Sequence, residues 1–253
     1  MPDFRSYYEH PPSQVGEQVT LSPEESNHLV AANRARVGDL VSLFNGIGCE
    51  SQARLLEANK RKAVLEILEI KQAQPPAQNI ALAQALPKGK LMESIIRKAS
   101  EIGAQRIFPV ASQRCEAKVD AKKQNAKNAK WTAAALEGAK QSGNPFLVEI
   151  EPVSDFSRLL ELSQTFDLML IASLEPAAKS LKRHLADLRT ENPDQLPQSV
   201  ICLIGPEGDF TPEEYQLAAD KGFRSLWLGP HVMRSETAAI HALSVIHYEL
   251  SGS

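Results

Sequence analysis

Apolar residues recur along this chain in two rhythms, and the change between them falls near residue 78. Before it, short apolar runs over 40–44, 49–56 and 63–70 are separated by Gly38-Asp39 and Asn45-Gly46-Ile47-Gly48, which predicts β-strands joined by turns. One helix precedes them, opened by Ser22-Pro23-Glu24-Glu25 as a capping box and running to about Asn33. The stretch 73–78 carries Pro75-Pro76 and reads as a linker.

Beyond it, strand-like and helix-like segments alternate. Strands are expected over 80–86, 106–110, 147–150, 168–172, 200–204 and 225–228. Helices are expected over 91–103, 125–141, 156–162 and 177–188, then one from Thr211-Pro212-x-Glu214 (a second capping box), and a last one over 236–250. Such alternation implies an α/β domain over 79–253 with a mostly parallel sheet, behind a small β-rich barrel over 1–72. In the last helix Ile240, Leu243, Ile246 or His247, and Leu250 form a stripe expected to pack in the core, with His241 and His247 as packing or surface residues.

Composition narrows this picture only a little. A chain of 253 residues with 43% apolar content can bury one large core or two smaller ones. No run approaches the roughly 18 apolar residues of a membrane span, and the first ten residues are too polar for a signal peptide, so a cytoplasmic protein is expected. Cys49, Cys115 and Cys202 are isolated, which assigns neither a disulfide framework nor a metal site. Net charge is −3, yet residues 88–130 hold eleven Lys or Arg against four Asp or Glu. A local basic surface suffices for phosphate contacts, although Lys118 to Lys130 reads equally well as a solvated helix face.

The candidate chemistry lies late in the chain. Two glycine turns, Ile204-Gly205-Pro206-Glu207-Gly208 and Leu228-Gly229-Pro230-His231-Val232-Met233-Arg234-Ser235-Glu236-Thr237-Ala238, each follow a strand and lead into a helix, where a parallel sheet puts its ligand crevice. Neither the G-x-G-x-x-G fingerprint nor a phosphate loop is present. Glu207 sets a carboxylate where a phosphate cradle needs amides and cations, which favours a neutral or cationic ligand.

These two turns resemble the S-adenosylmethionine (SAM) loops of the SPOUT methyltransferases, specifically the bacterial family that methylates N3 of a uridine in 16S ribosomal RNA. Further matches are Leu82-Ala83-Gln84-Ala85-Leu86-Pro87-Lys88-Gly89-Lys90, Met92-Glu93, Lys98 to Gly103, Gln141-Ser142-Gly143, and in the first domain Asn27-His28-Leu29, Arg34 and Val37-Gly38-Asp39. The resemblance implies a trefoil knot at the C-terminal end, a PUA-like first domain, a homodimer, and 16S rRNA of the small ribosomal subunit as partner. It implies SAM contacts from Ser173, Ile204, Gly205, Pro206, Glu207, Gly208, Leu228, Gly229, Met233, Arg234, Thr237 and Ala238. Lys88, Lys90, Arg97, Arg114 and Gln141, with Arg5 and Arg34 from the first domain, are the candidate RNA contacts, and no metal is implied. Asp209 and His231 depart from the family pattern, which has Gly and Arg there; a strongly positive φ at Asp209 would strain the loop.

Uracil N3 carries a proton at neutral pH, so its methylation calls for a proton acceptor or for stabilisation of charge on O2 and O4. Arg234 offers the second role, and Glu236 or Glu207 the first. Glu236 and Thr237 serve equally well as satisfiers of amides at the helix start. Rival readings are a SPOUT enzyme with another acceptor (a ribose 2′-hydroxyl or a tRNA base), a non-catalytic RNA-binding or assembly protein, and an α/β enzyme acting on a small molecule.

Overall fold

A computed structural model describes residues 4–115, 121–191 and 196–251. Lys118 of the basic run lies outside these residues, as do the side chains of Lys122 and Lys123. The chain divides into two compact units, one reaching Pro75 and taking in Ala139–Leu147, the other made of Pro76–Gly138 and Val148–Ser253. Residues 139–147 therefore group with the first unit, although sequence alone places them in the second domain. Backbone pairing explains this: Leu147 N–H donates to Gly46 O at 2.8 Å and Gly48 N–H to Pro145 O at 3.1 Å.

In the first unit β1 (Phe4–Tyr7), β2 (Gln18–Thr20), β3 (Leu40–Phe44), β4 (Cys49–Glu57) and β5 (Val64–Gln72) form a five-stranded sheet in the order β1-β3-β4-β5-β2. Period-two burial along β4 and β5 turns Ala53, Leu55, Leu65 and Ile67 into a core with Val41 and Leu43. β1 and β2 escape sequence reading because each is only three or four residues long with one buried position. The expected first helix reaches Ala32, but not as α-helix throughout. It splits into α1 (Pro23–Asn27) and a π turn, His28–Ala32, closed by Asn33 N–H to His28 O at 2.9 Å. Its capping box is half made: Ser22 Oγ accepts from Glu25 N–H, but the Glu25 carboxylate turns instead to Tyr7 N–H and the Lys140 ammonium.

The second unit is a parallel sheet of seven strands. β6 (Asn79–Ala85), β7 (Arg106–Ala111), β8 (Glu149–Ile150), β9 (Ser154–Asp155), β10 (Leu168–Ala172), β11 (Ser199–Ile204) and β12 (Arg224–Leu226) run β12-β10-β11-β6-β7-β8, with β9 also on β7. All these pairings are parallel. β6 and β11 are buried on both faces, as central parallel strands must be. The helices are α2 (Leu91–Ile102), α3 (Ala121–Ser142), α4 (Phe156–Leu162), α5 (Leu181–Glu191), α6 (Pro212–Asp220) and α7 (Ser235–Leu250). Met92, Ile95, Ile96 and Ala99 give α2 its buried stripe, and Ala239, Ala242, Leu243, Ile246 and Leu250 give α7 its own. Ile240 is only partly buried and His247 is exposed, while His241 Nε2 meets Leu228 O at 3.0 Å. α5 starts later than periodicity suggests because Lys179 is extended: its N–H donates to Ser225 O and its carbonyl accepts from Trp227 N–H.

α3 approaches α2 through Gly138. A Cβ there would stand 2.4 Å from the Arg97 carbonyl oxygen and 2.9 Å from Ser100 Cβ, while Ser100 Oγ donates to Ala135 O at 3.0 Å. Gly138→Ala is therefore expected to destabilise the protein by about 1–3 kcal/mol through overpacking. Thermal unfolding checks this, and an unchanged midpoint would mean that the two helices separate without cost. Among the described residues no helix is long and apolar enough to cross a membrane.

Candidate active site

The sheet order places the crevice. After β6 the chain runs outward through β7 and β8, then returns beyond β6 to lay down β10, with β11 inserted between β10 and β6. That reversal is where an open α/β sheet binds its ligand, at the carboxyl ends of the strands. A cavity of about 340 Å³ lies there, bounded by the ends of β10 and β11 and by the segment from Leu228 into α7.

Two tight turns hold the walls. After β11, Gly205 stands so close to the following turn that a Cβ would lie 3.1 Å from Asp209 Oδ1. Gly229 has φ +144°, a conformation that an L side chain resists. Ser235, the first residue of α7, ties the turns together: its buried hydroxyl donates to Gly205 O at 2.6 Å and accepts from Gln84 Nε2 at 2.9 Å. Gln84 is fully buried on β6 and also donates to Ala85 O. Ser235→Ala would leave the Gly205 carbonyl and the Gln84 amide short of a partner, worth about 1–3 kcal/mol. The expected result is roughly a tenfold or greater loss of ligand affinity in this cavity, read by calorimetry; unchanged affinity would show that the turns keep their positions without Ser235.

Of the residues singled out by sequence, Ser173, Ile204, Gly205, Pro206 and Glu207 line the cavity from one side. Leu228, Gly229, Met233, Arg234 and Ala238 line it from the other. Gly208, Glu236 and Thr237 are not on its wall. Gly208 faces away, its carbonyl accepting from Arg114 Nη1 at 2.9 Å. Glu236 and Thr237 sit in the first turn of α7, one residue past the wall-forming Ser235, so the helical rotation that brings Arg234, Ser235 and Ala238 to the cavity leaves those two off it. Arg234 is the N-cap residue of α7, with φ −62° and ψ 152°, and makes no side-chain cap bond, leaving its exposed guanidinium on the cavity rim. Glu207 Oε1 accepts from Lys88 N–H at 3.0 Å.

Sequence reasoning missed Asp209, Tyr215, Ser235 and Leu174 as wall residues. The helix carrying Tyr215 was expected, and its capping box is complete: Thr211 Oγ1 accepts from Glu214 N–H and Glu214 returns to Thr211 N–H. The turn of α6 toward the cavity could not be read from that box. Asp209 has φ +59°, the strained value that the sequence left conditional.

The RNA candidates differ in exposure and pairing. Arg34, Lys88, Lys90 and Gln141 are exposed, Arg34 with φ +60°. Arg5 is largely covered: it pairs with Glu50 at 2.9 Å, bonds Ser42 Oγ and lies over the Phe44 ring. Arg97 pairs with Glu137 at 2.9 Å, and Arg114 spans the carbonyls of Gly208 and Phe210. Arg114 thus braces the β11 turn. Cys202 is buried in β11, which pushes its thiol up to about 12 and makes it inert.

A cavity at the switch point of a parallel sheet, walled by glycine turns, in a chain that also carries a separate small β unit, has counterparts among known proteins. An RNA methyltransferase domain profile matches residues 74–247 and an RNA methyltransferase PUA domain profile matches 21–68. The chain is an RNA methyltransferase by class, with a PUA-like N-terminal domain. It is 30% identical over 248 residues to ribosomal RNA small subunit methyltransferase E of Bacillus subtilis, covering 97% of this chain and 96% of that protein. With the protein of the same name from Mesomycoplasma hyopneumoniae it shares 36% over 190 residues, 75% of this chain and 78% of the relative. The chain belongs to the ribosomal RNA small subunit methyltransferase E family. Two solved structures with bound SAM superpose on it. One from Legionella pneumophila has TM-score 0.86 at 31% identity and 97% coverage of both chains; the Neisseria gonorrhoeae methyltransferase E has TM-score 0.83 at 28% identity and 98% coverage of both.

Proposed function

We propose that this protein transfers a methyl group from SAM to N3 of a uridine in 16S rRNA of the small ribosomal subunit. The observation that carries the reading is the cavity between the two glycine turns in a chain whose family members are crystallised with SAM. The residues fit that cofactor. The wall combines apolar Ile204, Leu228 and Met233 with the carboxylates of Glu207 and Asp209, which suits an adenosine carrying a cationic tail.

SAM, when bound, supplies an electrophilic methyl group on its sulfonium. The chain does the rest. The turns hold the donor against the sheet, and Arg234, a planar cation on the rim, stabilises the charge that spreads onto uracil O2 and O4 as N3 loses its proton. Glu207 is the carboxylate placed to take that proton, since it lies on the cavity wall whereas Glu236 does not. The uridine must be unpaired or flipped out, because N3 lies on the Watson–Crick edge. Exposed Lys88 and Lys90 of the second unit, and Arg34 and Gln141 of the first, serve as RNA backbone contacts.

A trefoil knot and a homodimer belong to the same reading. The bonds from Ser173 N–H to Leu226 O and between Lys179 and both Ser225 and Trp227, which lay the 173–179 loop along the chain leading to α7, support the first. The exposed Tyr248, Val232 and Trp227 support the second. A ribosomal substrate places the work in the cytoplasm.

Small subunits lacking the modification, incubated with SAM and the protein and then reverse-transcribed, test the whole reading. A methyl on N3 blocks pairing, so a new stop at one uridine is expected. Methylation that appears without such a stop would move the acceptor to another atom, such as a ribose 2′-hydroxyl.

A further inference from the structure

Among the described residues, Arg34 and Asp209 are the two non-glycine positions with positive φ, and Asp209 lies on the wall of the cofactor cavity. Glycine would occupy φ +59° without strain, so the aspartate is held there by something else. Its Oδ1 accepts two hydrogen bonds, from Phe210 N–H at 2.8 Å and from the Tyr215 hydroxyl at 2.8 Å. Tyr215 comes from α6, and its hydroxyl also lies 3.1 Å from Ala172 O at the end of β10. A phenol has one proton to give, and the shorter contact to an anionic acceptor takes it. The second oxygen, Oδ2, has no hydrogen-bond partner among the described residues. The arrangement fixes a carboxylate on the wall with one oxygen bound and one to spare.

Resting on the SAM reading above, we propose that Asp209, held by Tyr215, is a cofactor-binding anion that makes the cavity prefer the cationic donor over its neutral thioether product, S-adenosylhomocysteine. The two ligands differ by one methyl group and one positive charge. Of the charged groups on the wall, Glu207 and Arg234 oppose each other in sign, and Asp209 adds a negative charge to that pair. Burial and the neighbouring Asp209 carboxylate raise the Tyr215 phenol well above its ordinary value, so it stays a proton donor through the working range. Tyr215 is a positioning residue here, and Asp209 is the group that meets the ligand. The consequence is reduced product inhibition.

Calorimetry with SAM and S-adenosylhomocysteine on the full chain tests this, using Asp209→Asn, Asp209→Gly and Tyr215→Phe. Asparagine keeps the Oδ1 acceptor, tolerates the backbone and removes only the charge; glycine relieves the backbone and guards against a folding failure of the first variant. Asp209→Asn is expected to weaken SAM about tenfold and the product less than about threefold, a difference of the size one screened charge provides. Tyr215→Phe should move the ratio in the same direction by less. An unchanged ratio of the two affinities in Asp209→Asn and Asp209→Gly overturns the inference, as does an equal loss for both ligands. If the wild-type protein binds neither ligand, the SAM reading itself fails, and that result is distinct from both.

Discussion

Exchanging Glu207 for glutamine is expected to slow methyl transfer to RNA by about 10²–10⁴-fold, the range in which a positioned general base contributes. The substitution is nearly isosteric. Glutamine keeps the Oε1 acceptor that holds Lys88 N–H, so the turn after β11 retains its anchor, and saturating SAM offsets the affinity lost with one wall carboxylate. What disappears is the capacity to take the N3 proton. Single-turnover methylation with saturating RNA and SAM reads this step apart from product release. Turnover at the wild-type rate would remove Glu207 from the mechanism and leave solvent to take the proton.

Arg234→Ala is expected to cost about 10²–10³ in the same assay, the usual effect of deleting one charged hydrogen-bond donor at a transition state. The backbone should survive the change, because Arg234 caps α7 through main-chain conformation and makes no side-chain cap bond. Arg234→Lys should recover part of the loss, keeping the charge without the planar fork. Glu236→Gln is the matching control. Glu236 lies off the cavity wall, so its single-turnover rate should stay close to wild type. Equal losses in Glu236→Gln and Arg234→Ala would return Glu236 to the reaction and place the uracil on the α7 side of the cavity.

Much of this molecule is legible along the chain because its signals are local. The runs at Leu40–Phe44, Leu168–Ala172 and Phe156–Leu162 are bounded by their own turn and cap residues, and the structure places those elements at those bounds. Thr211-Pro212-x-Glu214 is likewise a complete statement of a helix start, and it forms as read. Readings fail where a distant partner outbids a local one. Glu25 leaves the Ser22 box for Tyr7 and Lys140, and Lys179 leaves a helical pattern to pair with Ser225 and Trp227. β1 and β2 carry too few apolar positions to declare themselves.

The candidate site divides in the same way. The two glycine turns follow from residue order, since a strand, a glycine turn and a helix start are contiguous in sequence, and the family resemblance adds most of the wall. Which carboxylate faces the cavity does not follow. Glu207, Asp209 and Glu236 are equivalent as letters, and only the turn geometry and the rotation of α7 set the first two on the wall and the third off it. The same holds for Ser235 and Gln84, which meet across 151 residues of chain to lock the turns, and for Tyr215, whose hydroxyl reaches Asp209 from the next helix. The sequence by itself determined the change of rhythm near residue 78, the parallel sheet and the two glycine turns, because periodicity, caps and turns act over a few residues. Tertiary structure decided which charges share a cavity, because that depends on the order in which the strands pack.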